Sequence, residues 1–335
     1  MVWVAWLLAF IGVAVGVGAL LLRARSVPPT AAEPAPSQSP RPNIPAENVG
    51  PIPLQTDGVG TIPVGKVPNG IAVGMDSIWV TNQDDDTMSR IDPATDEVVA
   101  TIRVGKSPKD VTVGDGAIWV TNREGQTISR VDPRTNEVVE TFGVDWAPVD
   151  IAFGAGALWL PNPHRGEVAR IDPVTHRVVA TIATEGFPVG VAATADAVWV
   201  THPDHDLLTR IDPTSNRIVT TIPVGDSALG VSTDKEAVWV ANAEANTVAR
   251  IDPATNQVVA TIPVGDHPYA VAAGEGAVWV ANGLGGTVSR IDPSSNRVVV
   301  LVSVGQLPYA LAAGVGSVWV ANRGDGTVSR IDPGA

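Results

Sequence analysis

The chain contains no cysteine. That excludes disulfides, thiolate metal centres and a cysteine nucleophile. Lysine is confined to Lys66, Lys106, Lys109 and Lys235, and 22 Lys+Arg against 35 Asp+Glu leave a net charge of −13 over 335 residues. A nucleic-acid-binding surface needs a basic face to neutralise phosphates, so no nucleic-acid partner is expected. No Gly-x-Ser-x-Gly elbow, His-Glu-x-x-His pair or phosphate-cradling glycine loop occurs. Aromatic residues are scarce, with two Tyr and four Phe, yet Trp occurs ten times. What is abundant is Gly and Pro, 33 and 28 residues, which suits a fold rich in turns.

The N-terminal third of the first hundred residues stands apart. Residues 2–22 form an uncharged, mostly apolar run with Trp3 and Trp6 near one end. As a helix it would span roughly 31 Å, about one bilayer core, and it lacks the charged start and small-x-small exit of a cleaved signal peptide. Residues 1–25 are therefore predicted to be a retained single-pass transmembrane anchor. Arg23 and Arg25 lie on its C-terminal side and place the remainder in the cytoplasm by the positive-inside rule. The Pro-rich tether and the acidic, Lys-poor remainder resemble an exported module instead, and the extracytoplasmic side is the expectation. Residues 26–56 carry nine prolines between Pro28 and Pro53 and are predicted to be a disordered, extended linker.

From Thr61 the sequence repeats every 40 residues. Trp79, Trp119, Trp159, Trp199, Trp239, Trp279 and Trp319 are evenly spaced, as are Arg90, Arg130, Arg170, Arg210, Arg250, Arg290 and Arg330. Each unit holds four short runs rich in Val, Ile, Thr or Trp, joined by connections of a few residues. Four strands per 40 residues is the period of a propeller blade. The last unit stops at Ile331-Asp332-Pro333 without a fourth strand, and Val59-Gly60-Thr61-Ile62-Pro63-Val64 resembles the fourth strand at Val259–Val264. Residues 57–335 are therefore predicted to be an all-β, seven-bladed β-propeller closed by an N-terminal outer strand, monomeric in itself.

A residue that recurs in every blade is a packing residue before it is a catalytic one. The seven Trp are expected to fill the spaces between neighbouring sheets. Arg90 and Asp92 project to one side of a strand, which predicts a structural pair or a turn cap. Function is expected where the repeat breaks, on the face formed by the second-to-third and fourth-to-first connections, here the top. The residue after the proline that leads each inner strand varies, as Asn69, Lys109, Val149, Val189, Tyr269 and Tyr309, and both tyrosines fall there. Asn69, Lys109, Asp110, Asp150, His267, Tyr269 and Tyr309 form the expected ligand- or partner-binding set. His202, Asp204 and His205 are the densest candidate metal ligands, though they share one short loop.

The segments Ile78-Trp79-Val80-Thr81-Asn82 and Val238-Trp239-Val240-Ala241-Asn242, with the Pro68-x-Gly70 start of the inner strand and the Ile-Asp-Pro-x-Thr-Asn turn, resemble the YVTN-repeat family of seven-bladed propellers. A related group is the streptogramin-lyase-type propellers. That resemblance implies a divalent metal with a catalytic His directly after the leading proline and a Glu nearby. No His occupies that position here; His267 precedes Pro268. The expected function is a membrane-tethered propeller that binds an unknown protein or small-molecule ligand on its top face, with no cofactor. The alternatives are a metal-dependent lyase or lactonase-like enzyme, and a structural protein of the cell envelope.

Overall fold

A computed structural model describes residues 52–334. The predicted membrane anchor and nearly all of the predicted linker lie outside them. Among the described residues, no helix is long and apolar enough to cross a membrane.

The described strands form seven sheets arranged as blades. Blade one shows the rule: Pro68–Gly74, Ser77–Asn82, Thr87–Asp92 and Glu97–Arg103 lie side by side in antiparallel order. Its second strand is buried at every position, because sheets cover both of its faces, and its sequence is accordingly a continuous run rather than an alternation. The outer strand alternates exposed and covered residues, with Ile102 buried. The ring closes as predicted: Val59–Pro63 runs antiparallel to Thr327–Ile331, pairing Ile62 with Val328. One strand lies in the stretch predicted as linker. Leu54–Gln55 pair in parallel with Leu301 and Val302, as a fifth strand on blade six. An outer strand presents unpaired backbone groups, and Leu301 N donates to Pro53 O at 3.0 Å, so the passing chain is captured.

The seams between blades are built alike. Trp79 packs with Ile118, Val120 and Val131 of blade two, and Trp319 packs with Ile78, Val80 and Ile91 of blade one. Each repeated Arg lies over its own blade's Trp ring, from 5.0 Å for Arg90 on Trp79 to 5.6 Å for Arg130 on Trp119. The predicted Arg90–Asp92 pair does not form. Arg90 instead reaches the next blade, donating to Pro133 O at 2.7 Å and Asn136 Oδ1 at 2.9 Å. Arg170, Arg210 and Arg250 repeat this pattern. Asp92 takes the alternative role of turn cap, accepting from Ala94 N at 2.8 Å. At the closing seam Arg330 grips both carboxylate oxygens of Asp96, at 2.8 and 2.9 Å.

Blades three and four depart from the rule at the channel wall. Their inner strands shrink to Ala152–Gly154 and Val191–Ala193, against Pro108–Gly114 in blade two. In blade three the neighbouring strand carries Pro161, which has no N–H for the ladder. The amides at the start of these two shortened strands find acceptors on the preceding blade: Ile151 N donates to Asp110 Oδ2 at 3.1 Å, and Val191 N to Asp150 Oδ2 at 2.9 Å.

Candidate functional site

The two top connections meet as the topology requires. Lys66 N donates to Asp85 Oδ2 at 2.7 Å, Ser107 N to Asp86 Oδ1 at 2.8 Å, and His267 N to Asn246 Oδ1 at 2.7 Å. Each bond ties the loop that leads into an inner strand to the loop between a second and third strand. The residue before the leading proline is held at positive φ by this arrangement, as at Val67 (53°), Ser107 (55°), His267 (53°) and Leu307 (51°). The chain then turns straight into the channel, and the residue after the proline is delivered to its mouth.

There the side chains of blades six, seven, one and two converge. Lys109 Nζ donates to Tyr309 OH at 3.0 Å and to Asn69 Oδ1 at 3.3 Å. Lys109 and Tyr309 belong to blades two and seven, so this contact passes blade one on the channel side. Asn69 is buried, and its amide donates to Gln83 Oε1. The Tyr269 and Tyr309 rings lie 5.1 Å apart, and the His267 ring meets Tyr269 edge-on at 4.8 Å. Arg323 covers Tyr309 from the loop above, 5.0 Å from its centroid. The structure thus brings Asn69, Lys109, His267, Tyr269 and Tyr309 into one connected cluster.

Asp110 and Asp150 sit one residue further in, on blades two and three. Removal from water, with the neighbouring Asp150 carboxylate, holds Asp110 well above the usual carboxylate range. The Lys109 ammonium draws the Tyr309 phenol below its ordinary value, against the opposing effect of burial. Burial, reinforced by Tyr309, pushes Tyr269 up. Two identical side chains in contact are therefore differentiated by one cation.

The proposed metal group does not assemble. His202 is fully enclosed within blade four, where its Nε2 lies 2.9 Å from Thr209 Oγ1. It occupies the place of the repeated Asn, whose side chain turns inward to bond the third strand, as Asn82 does to Ser89. Burial lowers the His202 pKa to about 4. Asp204 and His205 turn to each other, Oδ2 to Nδ1 at 2.9 Å, and Asp204 Oδ1 accepts from Phe187 N. The loop therefore serves its own geometry.

The donor set at the mouth does not suit a divalent metal either. His267 Nδ1 lies 3.9 Å from Glu244 Oε1, and among the described residues no group of three or more His, Cys, Asp or Glu is placed to hold an ion. Arg323 and Gln83 are participants the sequence reading passed over. Their signal was present: the residue after the repeated Asn runs Gln83, Arg123, Pro163, Pro203, Ala243, Gly283, Arg323.

The sequence profile of the virginiamycin B lyase family matches residues 100–335. No curated protein matches the chain. Among solved structures, a streptogramin B lyase superposes with a TM-score of 0.71 at 16% identity, covering 81% of this chain and 96% of its own. The virginiamycin B lyase of Staphylococcus aureus gives 0.69 at 17%, covering 81% and 98%. Hydrazine synthase of Kuenenia stuttgartiensis gives 0.70 at 18%, covering 86% and 98%. At such identities the structural likeness establishes the fold and nothing finer.

Proposed function

The chain belongs to the virginiamycin B lyase family, and from that premise we propose that it is a binding propeller whose ligand sits at the top mouth of the central channel. The observation that carries this reading is the Asn69–Lys109–Tyr309–Tyr269–His267 cluster, where side chains from four blades meet at the positions that break the repeat. Binding sites gather on loops held by a rigid frame, and a channel mouth is concave by construction. In this reading Lys109 and Tyr309 supply the polar contacts, Tyr269 and His267 offer aromatic surface, and Asp110 and Asp150 shape the floor. The propeller is monomeric, takes no cofactor and binds no nucleic acid. The apolar run at 2–22 tethers it to the cell membrane through the Pro-rich segment, on the extracytoplasmic side.

A thermal-shift screen of a small-molecule collection tests this. Compounds that raise the melting temperature of the native chain are expected to lose their effect on a Lys109→Ala, Tyr309→Ala double variant. If every stabilising compound acts equally on both proteins, the mouth is not the site.

The second reading is virginiamycin B lyase activity itself, favoured by the profile match. The absence of a fitting donor set in the described residues weighs against a metal-dependent form of it. Incubation of the purified chain with virginiamycin B and divalent cations is expected to leave the antibiotic's mass unchanged; the appearance of a ring-opened product would reverse the order of the two readings.

A further inference from the structure

The mouth is not uniform around its circumference. On one side stand Lys109, Arg323 and, at the same loop position as Arg323, Arg123. Arg123 N donates to Ser107 O at 2.9 Å just as Arg323 N donates to Leu307 O at 3.0 Å, so the two loops share a backbone path. On the other side the corresponding positions are Val149, Val189 and Leu229, with Pro163, Pro203 and Ala243 in the loops above them. The three loop residues are buried and the three below are partly exposed. At these two positions a chain of net charge −13 thus places cations along one arc of the rim and apolar side chains along the opposite one.

We propose that the mouth takes an amphiphilic ligand with an anionic head group and an apolar body, the head toward Lys109 and Arg323 and the body against Val149, Val189 and Leu229. This rests on the mouth being the binding site. The Lys109 ammonium has three protons, and its bonds to Asn69 and Tyr309 use two. Those bonds hold the amine in place before a ligand arrives, which reduces the ordering cost of binding. Arg323 offers a planar, multiply donating partner for an anion. Acidic groups flank the space, Asp150 acting on Tyr309 and Glu244 standing beside His267. In the loops of the cationic arc the carboxylates are engaged, Glu124 by Lys106, Asp325 by Gln306 N and Asp85 by Lys66 N, so the head group is placed against Lys109 and Arg323.

The test uses two fluorescent probes with the same naphthyl and phenyl rings: anilinonaphthalene sulfonate, which carries an anion, and phenylnaphthylamine, which does not. Both are titrated into the full chain, and binding at the mouth is read as the difference between native protein and variants, since the apolar N-terminal run contributes equally to each. The anionic probe is expected to bind about tenfold more tightly than the neutral one, the size of a charge-assisted hydrogen bond. Lys109→Gln and Arg323→Gln, each checked for an unchanged melting transition, should weaken the anionic probe at least about fivefold and leave the neutral one alone. Leu229→Asp should weaken both, and Lys235→Ala, a charge removed from the opposite face, should weaken neither. If the two probes bind equally and only Leu229→Asp matters, the anionic class is wrong while the mouth remains the site. If no mouth variant changes either probe, both fall.

Discussion

The seams between blades and the mouth of the channel use the same residue types in opposite ways. At the seams, an Arg over a Trp recurs in all seven blades, and where the next turn provides them the same carbonyl and amide receive the guanidinium. At the mouth, a Lys and an Arg also meet an aromatic ring, but Lys109 and Arg323 converge from different blades on the one ring of Tyr309. A cation on an aromatic ring stabilises the ring of blades when it is repeated. When it occurs once, on an open rim, it costs the protein a concentrated positive charge with no seam to hold. Repetition therefore separates groups that maintain the fold from groups left over for a ligand.

The comparison breaks most sharply on a seam tryptophan. Trp279 is fully buried, its Nε1 donates to Gly274 O at 3.1 Å, and it packs against Val318, Val320 and Ile331 of blade seven. Trp279→Ala removes that contact and leaves a cavity, with an expected loss of about 3–5 kcal/mol in chemical denaturation. Trp79→Ala should lose a similar amount, because its seam is built alike. A loss below about 1 kcal/mol at either site would mean that the seams do not carry the fold.

His202 lies between the two cases, a unique residue in a repeated place. The other blades use Asn there, and Asn82 donates to both Thr87 and Ser89 at 3.0 Å. His202 is buried and neutral, with its pKa lowered from 6.5 to about 4. The unfolded chain therefore takes up a proton at this residue before the folded one does. Stability at this site is intact above pH 6.5 and falls as the pH drops toward 4, by up to about 3 kcal/mol in the ideal case. His202→Asn restores the repeated residue, and Thr209 remains available to accept from it. The expected outcome is a flatter stability profile between pH 6.5 and 4 with little change at neutral pH. An unaltered acid profile would show that His202 is hydrated in solution.

Much of the architecture was legible because it repeats. The 40-residue spacing of Trp79 through Trp319 gives the blades, and the likeness of Val59–Val64 to Val259–Val264 gives the closure. What escaped was set by partners one blade away. Nothing local to Arg90 says that it will pass over Asp92 to reach Pro133 and Asn136. Pro161 announces a gap in one ladder, but nothing local says that Asp110 and Asp150 will accept from the Ile151 and Val191 amides of the following blades. Leu54–Gln55 looked like linker because capture by blade six depends on an edge hundreds of residues away. At the site, the varied residues after the leading prolines pointed to Lys109, Tyr269 and Tyr309. Arg323 became visible only once Tyr309 had a position. His202 misled because a histidine beside Asp204 and His205 suggests a metal, whereas its place in the strand turns it inward.

The smallest effect on stability is expected at the mouth, and it is accompanied by a spectroscopic change that a seam residue would not produce. Lys109→Ala removes two hydrogen bonds: Asn69 keeps Gln83 on its amide nitrogen but loses the donor to its Oδ1, and Tyr309 keeps Arg323 over its ring. The cost should be about 1–2 kcal/mol, that of one acceptor left unpaired. The Tyr309 phenol, however, loses the charge that draws it down while its burial persists. Its pKa must therefore rise. The chain has only two tyrosines, and Tyr269 is already pushed up by burial, so the first phenolate to appear in an absorbance titration of the native protein belongs to Tyr309. In Lys109→Ala that first step should move to higher pH and merge with the second. A titration curve identical to the native one would place the Lys109 amine away from Tyr309 in solution, and the cationic arc of the mouth would lose its centre.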